Sequence, residues 1–149
     1  MKKLAVFSAT CVMAFACAAA PAFARDTPYH LKIDDVKSDP RYAENVPGDI
    51  TLVFGDQKPA NIEKSLGEFV TNRKTNSVGR PDEDVCRWAM ISAMKELAER
   101  ARTEGGNAVI NIVSYYRKNV FSSPTEYECH AGAIIAGVAL KGTVVKLSK

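Results

Sequence analysis

Between Asp82 and Thr103 the apolar residues recur with helical spacing. At about 100° per residue, Cys86, Met90, Ala93, Met94, Leu97 and Ala101 fall on one face. Lys95, Glu99 and Arg102 fall on the opposite face. Pro81 with Asp82, Glu83 and Asp84 makes an acidic helix start, and Gly105-Gly106 makes a stop. The spacing predicts one long helix over 82–103, with Cys86 turned into the core. Trp88 lies off the apolar face, among Asp84, Lys95 and Glu99. Either the amino-terminal segment covers it or it is offered to a partner.

The remaining pattern is that of strands. Ile50 to Phe54 is β-rich and ends at the turn pair Gly55-Asp56. Ser65 to Thr71 reads as a second strand, and Arg73 to Pro81 as a loop. Asn107 to Lys118 is apolar on both faces. Ala108, Ile110, Ile112 and Tyr116 point one way, and Val109, Val113 and Tyr115 the other. A small two-layer domain covers one face of its sheet, so the second face needs a lid or a subunit contact. That makes Val109, Val113 and Tyr115, with Trp88, the candidate partner surface. From Glu126 to Leu140, Tyr127, Cys129, Ala131 and Ala133 alternate with Glu126, Glu128 and His130. Ile134-Ile135 breaks the alternation, which predicts a bulge or bend. A further strand segment is expected between Gly137 and Gly142, with room to run on to Val145. The order predicts an α+β two-layer sandwich: one long helix packed on a mostly antiparallel sheet of about four strands.

The amino terminus reads as an address. Lys2 and Lys3 precede an apolar run from Leu4 to Ala20, followed by Ala22-Phe23-Ala24. Residues 1–24 are therefore expected to be a signal peptide, cleaved near Ala24, with the protein periplasmic or secreted. Cys17 sits in a poor lipidation box, and the apolar run is shorter than a membrane span. Residues 25–48 are polar, with Pro28, Pro40 and Pro47, and read as a leader or arm in which Ser38 to Tyr42 starts one helical turn. Residues 49–149 form the single α+β domain.

Cleavage changes what the composition implies. The 149-residue chain has four cysteines and a formal charge of +3. Without Lys2, Lys3, Cys11 and Cys17 it is nearly neutral and keeps Cys86 and Cys129. No nucleic-acid footprint is expected at that charge. Two cysteines in an exported chain have one possible pairing, and a Cys86–Cys129 bridge would staple helix to sheet. Free thiols or a redox pair are the alternative, without the Cys-x-x-Cys spacing that tunes a thiol.

Four stretches together resemble a known family. They are Leu66-Gly67-Glu68-Phe69, Leu97-Ala98-Glu99-Arg100-Ala101, the run Gly105-Gly106-Asn107-Ala108-Val109-Ile110-Asn111-Ile112, and Gly132-Ala133. The pattern is similar to the YbjQ-like family, often labelled heavy-metal-binding, and its layout to the sensor domain of the envelope-stress lipoprotein RcsF. The resemblance spans about Ile50 to Val145. It implies a small α+β fold, a tendency to oligomerise and no established enzyme activity. RcsF-like domains carry two disulfides and a lipid anchor, whereas this chain has one cysteine pair. In plain physical terms, the Gly106-Asn107 pair reads as an αL-tolerant stop followed at once by a strand.

Candidate chemistry is sparse. There is no Gly-x-Ser-x-Gly, His-Glu-x-x-His, P-loop or Gly-x-Gly-x-x-Gly pattern, and no catalytic residue is assigned. Asp82, Glu83 and Asp84 are read as charge complement to the helix dipole. Arg73, Lys74 and Arg80 form a basic loop, read either as solvated or as contacts for an anionic surface. His30, Cys86, Cys129 and His130 do not converge on a metal. Cys129 and His130 are strand neighbours on opposite faces, and a bridge removes both thiolates. No cofactor is expected, and His130 is read as an exposed strand residue. The expectation is a non-enzymatic module acting by protein contact, with a second copy or an envelope protein as partner and no membrane span. The alternative is a module that binds a small ligand or metal.

Overall fold

A computed structural model describes residues 24–148; the expected signal peptide lies almost wholly outside the described residues. The elements run β1 (Thr27–Lys32), α1 (Ile33–Lys37), α2 (Pro40–Asn45), β2 (Thr51–Phe54), β3 (Ile62–Asn76), α3 (Asp82–Thr103), β4 (Ala108–Ser114), a 3-10 turn (Tyr116–Lys118), β5 (Glu126–Ala131) and β6 (Ile135–Leu147). The fold is α+β with one long helix on a six-stranded sheet. The sheet is mixed, because β2 runs parallel to β4 while the other pairings are antiparallel. β6 is its spine. One edge of β6 pairs with β3 along nearly its whole length. Its other edge pairs first with β5, which carries β1, and then with β4, which carries β2. No helix among the described residues is long and apolar enough to cross a membrane.

The helix expected over 82–103 is α3, and its apolar face lies across the sheet. Cys86 and Cys129 are bonded, with 5.8 Å between their Cα atoms. The buried stripe is wider than the single face read from the sequence, since Val85, Ala89, Ile91 and Ala98 are buried too. The extra cover comes partly from 25–48. That segment is not an arm. It supplies β1, which pairs with β5 from Thr27↔Ala131 to Lys32↔Glu126, the short helix α1, which buries Ile33 and Val36, and α2, after which Val46 is buried. Its low apolar content concealed the role because an edge strand needs only alternate apolar residues, here Tyr29 and Leu31.

Three strand boundaries differ from expectation. β3 continues through Arg73 and Lys74 to Asn76, held by unbroken pairing to β6. The strand expected to reach Lys118 ends at Ser114, where Arg117 and Lys118 take left-handed backbone. The strand expected over 126–140 is cut at 132–134, where Gly132 N–H donates to Ile135 O and makes a hairpin turn.

The two-faced strand has its own resolution. Asn111 has φ 51°, and β4 advances from Ile110 to Val113 while β6 advances only from Thr143 to Lys141. This bulge shifts the side-chain parity. Val109 and Ile112 therefore both join the helix-side core, while Ala108 and Ile110 pack with Val145 on the other side, against Val53 and Leu147. Val109 is fully buried within its own chain, so it is no partner surface.

The Gly105-Gly106-Asn107 step is structural throughout. Gly105, not Gly106, is the left-handed residue, at φ 79°. Its N–H donates to Arg102 O and that of Gly106 to Ala101 O, which closes α3 as a Schellman turn. Gly106 is small for another reason: a Cβ there would stand 2.8 Å from the carbonyl of Val145. Asn107 then acts as a substitute peptide. Its Nδ2 donates to Leu147 O and its Oδ1 accepts from Leu147 N.

Candidate functional site

The polar chemistry gathers where the first described residues meet β5. His30 stands opposite Glu128 in the β1–β5 register, and His130 lies two residues further along the same face. The Glu128 carboxylate bridges both rings, at 3.1 Å from His130 Nε2 and 3.4 Å from His30 Nε2. Asp26 approaches His130 Nδ1 at 2.8 Å. The Tyr116 hydroxyl donates to Asp26, Arg117 pairs with it at 3.1 Å, and the Tyr116 ring stacks on His130. His30 stacks on Phe121. His130 is thus a packed residue, its side chain 15% exposed, rather than the exposed strand residue expected.

Burial pushes the Asp26 carboxyl up, but the hydrogen bonds with His130 and Tyr116 outweigh it and hold the group below its ordinary value. Burial, and then its bond to Asp26, raise the Tyr116 phenol. Beside the cluster lies a cleft of about 300 Å³ lined by Arg25, Asn72, Lys74, Tyr116, Arg117 and His130. The sequence contained one signal for the cluster: Glu128 and His130 share a strand face. It had no signal for β1 as their neighbour.

The expected anion contacts separate. Arg73 pairs with Glu96 at 2.7 Å, and Arg80 with Asp84 at 2.7 Å. Arg73 shares β3 with Lys74 but turns to Glu96 on the helix side, and Arg80 lies before α3, so of the three only Lys74 lines the cleft. Among the described residues Lys74 forms no salt bridge. The thiols that a heavy-metal label would require are consumed in the disulfide, and no group of three or more His, Cys, Asp or Glu among the described residues is arranged to hold a metal.

The partner-surface candidates also separate. Trp88 is half-buried against the core, with the Arg41 guanidinium 5.7 Å from its ring centre. Val113 is half-buried, and Tyr115 lies beneath Lys141, whose Nζ is 4.8 Å from the ring centre. The apolar surface that does face solvent was not singled out by the sequence. Val78, Ile134 and Ile135 are 60%, 66% and 51% exposed. All three lie at the same end of the β3–β6 ladder, where Ser77 N–H, next to Val78, donates to Ile134 O. With Ala133 they form an apolar tip.

Arg41 also ties the leader to α3. It pairs with Asp39 at 2.6 Å and with Asp84 at 2.8 Å, while Arg25 and Tyr29 bind Asp82. The acidic helix start therefore anchors the leader as well as meeting the dipole. Hydrogen bonds from Arg41 lower the Asp39 carboxyl from 3.8 to about 2, and those from Arg80 and Arg41 lower Asp84. A depressed folded-state value stabilises the fold above the unfolded value and stops doing so as pH falls through the folded one. Urea midpoints followed by Trp88 fluorescence should hold steady down to about pH 4 and fall between about pH 4 and 2. Arg41→Ala should flatten that slope and make the Trp88 emission more solvent-exposed before unfolding.

Comparison with protein-family models, with curated proteins and with solved structures found no match to this chain.

Proposed function

We propose that this chain is a non-enzymatic, exported module, periplasmic or secreted, that acts by protein contact. The apolar tip of Val78, Ile134 and Ile135 carries the reading. Three large aliphatic side chains exposed at one end of the sheet cost solvation, and a grouped patch of this kind marks a contact site. The polar cluster supports it by being internally paired: Asp26, Glu128 and both histidines satisfy one another, and both cysteines are oxidised. A photoreactive residue in place of Ile134 should give protein adducts in the intact cell envelope, and one in place of Glu44, exposed on α2, should not. Equal yields from the two positions, or none from Ile134, would overturn the reading.

A second reading, a small-ligand module, rests on the cleft beside Lys74. Its ammonium, without a salt bridge among the described residues, and the neighbouring Arg25 and Arg117 suit a small anion. A melting temperature raised by millimolar inorganic phosphate in the wild type and not in Lys74→Ala would favour it over the contact reading.

A further inference from the structure

We propose that the free edge of β3 pairs, antiparallel, with the same edge of a second copy, with Thr71 at the two-fold axis. The proposal deepens the contact reading, on which it rests only for the class of action; it names a second copy as partner at a surface separate from the tip. β3 is 15 residues long, against about five or six for an ordinary strand. Among the described residues it pairs only with β6, so its other edge is open. Folded proteins usually shorten, bulge or interrupt such an edge. Here the irregularities fall at Ile62/Lys64 and Ser65/Gly67, and the run from Gly67 to Asn76 is in unbroken register and contains no proline.

The register identifies which backbone groups are free. Ser77 N–H donates to Ile134 O one step beyond the Asn76↔Ile135 pair. In an antiparallel ladder, alternate residues turn both N–H and C=O to the same neighbour. Thr71, Arg73 and Thr75 therefore bond β6, while Glu68, Val70, Asn72 and Lys74 present their groups to the open edge. The same alternation places Phe69, Thr71 and Arg73 toward the helix, where Thr71 and Arg73 both bond Glu96.

One register makes this edge complementary to itself. With Thr71 opposite Thr71, Val70 meets Asn72, Phe69 meets Arg73, and Glu68 meets Lys74, each twice by symmetry. Lys74 has no salt bridge among the described residues, and Glu68 is 58% exposed, with Lys141 Nζ at 3.5 Å. Moving the axis to Val70 or to Asn72 sets Glu68 against Asn72 or Asn76 and loses both charge pairs. Opposite charges across a strand pair favour one register, and a lysine on the edge discourages strands that lack the matching glutamate.

Sedimentation equilibrium on the purified chain at low salt tests the proposal. The expected result is a reversible dimer. Glu68→Lys and Lys74→Glu should each weaken it roughly tenfold or more, and the double reversal should restore it to within about threefold. Val70→Pro should also break it, because that N–H faces the open edge and not β6; melting curves confirm that each variant is folded. A chain that stays monomeric at millimolar concentration, or a dimer indifferent to both reversals, would overturn the proposal. Ile134→Asp separates the two readings. A dimer lost in Ile134→Asp but intact in Glu68→Lys would overturn edge pairing and leave the tip standing. A dimer sensitive to Glu68→Lys, with no adducts from Ile134, would do the reverse.

Discussion

Cys86→Ser and Cys129→Ser should each lower the melting temperature by on the order of 15 °C, and reduction of the wild type should do the same. The bridge joins the first turns of α3 to the middle of β5 and closes 43 residues of separation. In the chain-entropy account, a loop of that length removes roughly 4 kcal/mol of freedom from the unfolded chain. A domain of this size loses about 4 °C for each kcal/mol. Both sulfurs are completely buried, so a serine adds a second cost, a hydroxyl in an apolar core. Calorimetry on the oxidised, reduced and substituted chains reads the effect directly. In the chain without residues 1–24, thiol titration should find nothing reactive in the folded wild type and one thiol in each unfolded variant. An unchanged melting temperature on reduction would mean that packing, and not the bridge, joins helix to sheet.

Tyr127→Ala should cost about 3–5 kcal/mol, the range for removing a large aromatic side chain from a packed core. Tyr127 lies two residues before Cys129 on the same face of β5, opposite Leu31 of β1, and is 1% exposed. It fills the junction of sheet, α3 and the leader, so its loss should loosen β1 first. Hydrogen exchange should show β1 amides opening before those of β6. The phenol gives an independent check. Burial raises its ionisation well above 10.0. Above about pH 10 the unfolded chain releases that proton and the folded chain keeps it, so stability should fall as pH rises. Tyr127→Phe should reduce this alkaline slope while keeping most of the packing.

How much was legible depended on how local the cause was. The bounds of α3 follow from its own residues: an acidic start after Pro81, an unbroken apolar stripe and a glycine at the stop. The cysteine pair followed from parity, since Cys86 lay on the apolar helix face and Cys129 on the apolar strand face. Val109 shows where that reasoning ends. Strict alternation placed it away from the core, and one left-handed residue, Asn111, reversed the parity between the two halves of the strand. Nothing in the apolar pattern marks that residue, because the bulge is set by the fit of β4 to β6. The candidate site was less legible still. Glu128 and His130 could be placed on one face, but Asp26, His30 and Tyr116 reach them only through β1 pairing and the turn after β4.

By itself the sequence determined the α+β class, the one long helix and its ends, and which two cysteines could bond. These depend on periodicity, capping and covalent count, all of which act within a few residues or by elimination. Only the tertiary structure decided that 25–48 belongs to the sheet, that the sheet has six strands and one parallel pair, and that β3 ends with an open edge beside an apolar tip. The physical reason is that strand partners lie far apart in the chain. Whether a polar segment such as Thr27–Lys32 pairs, and whether an edge such as that of β3 is left over, depends on every other strand having found its place first.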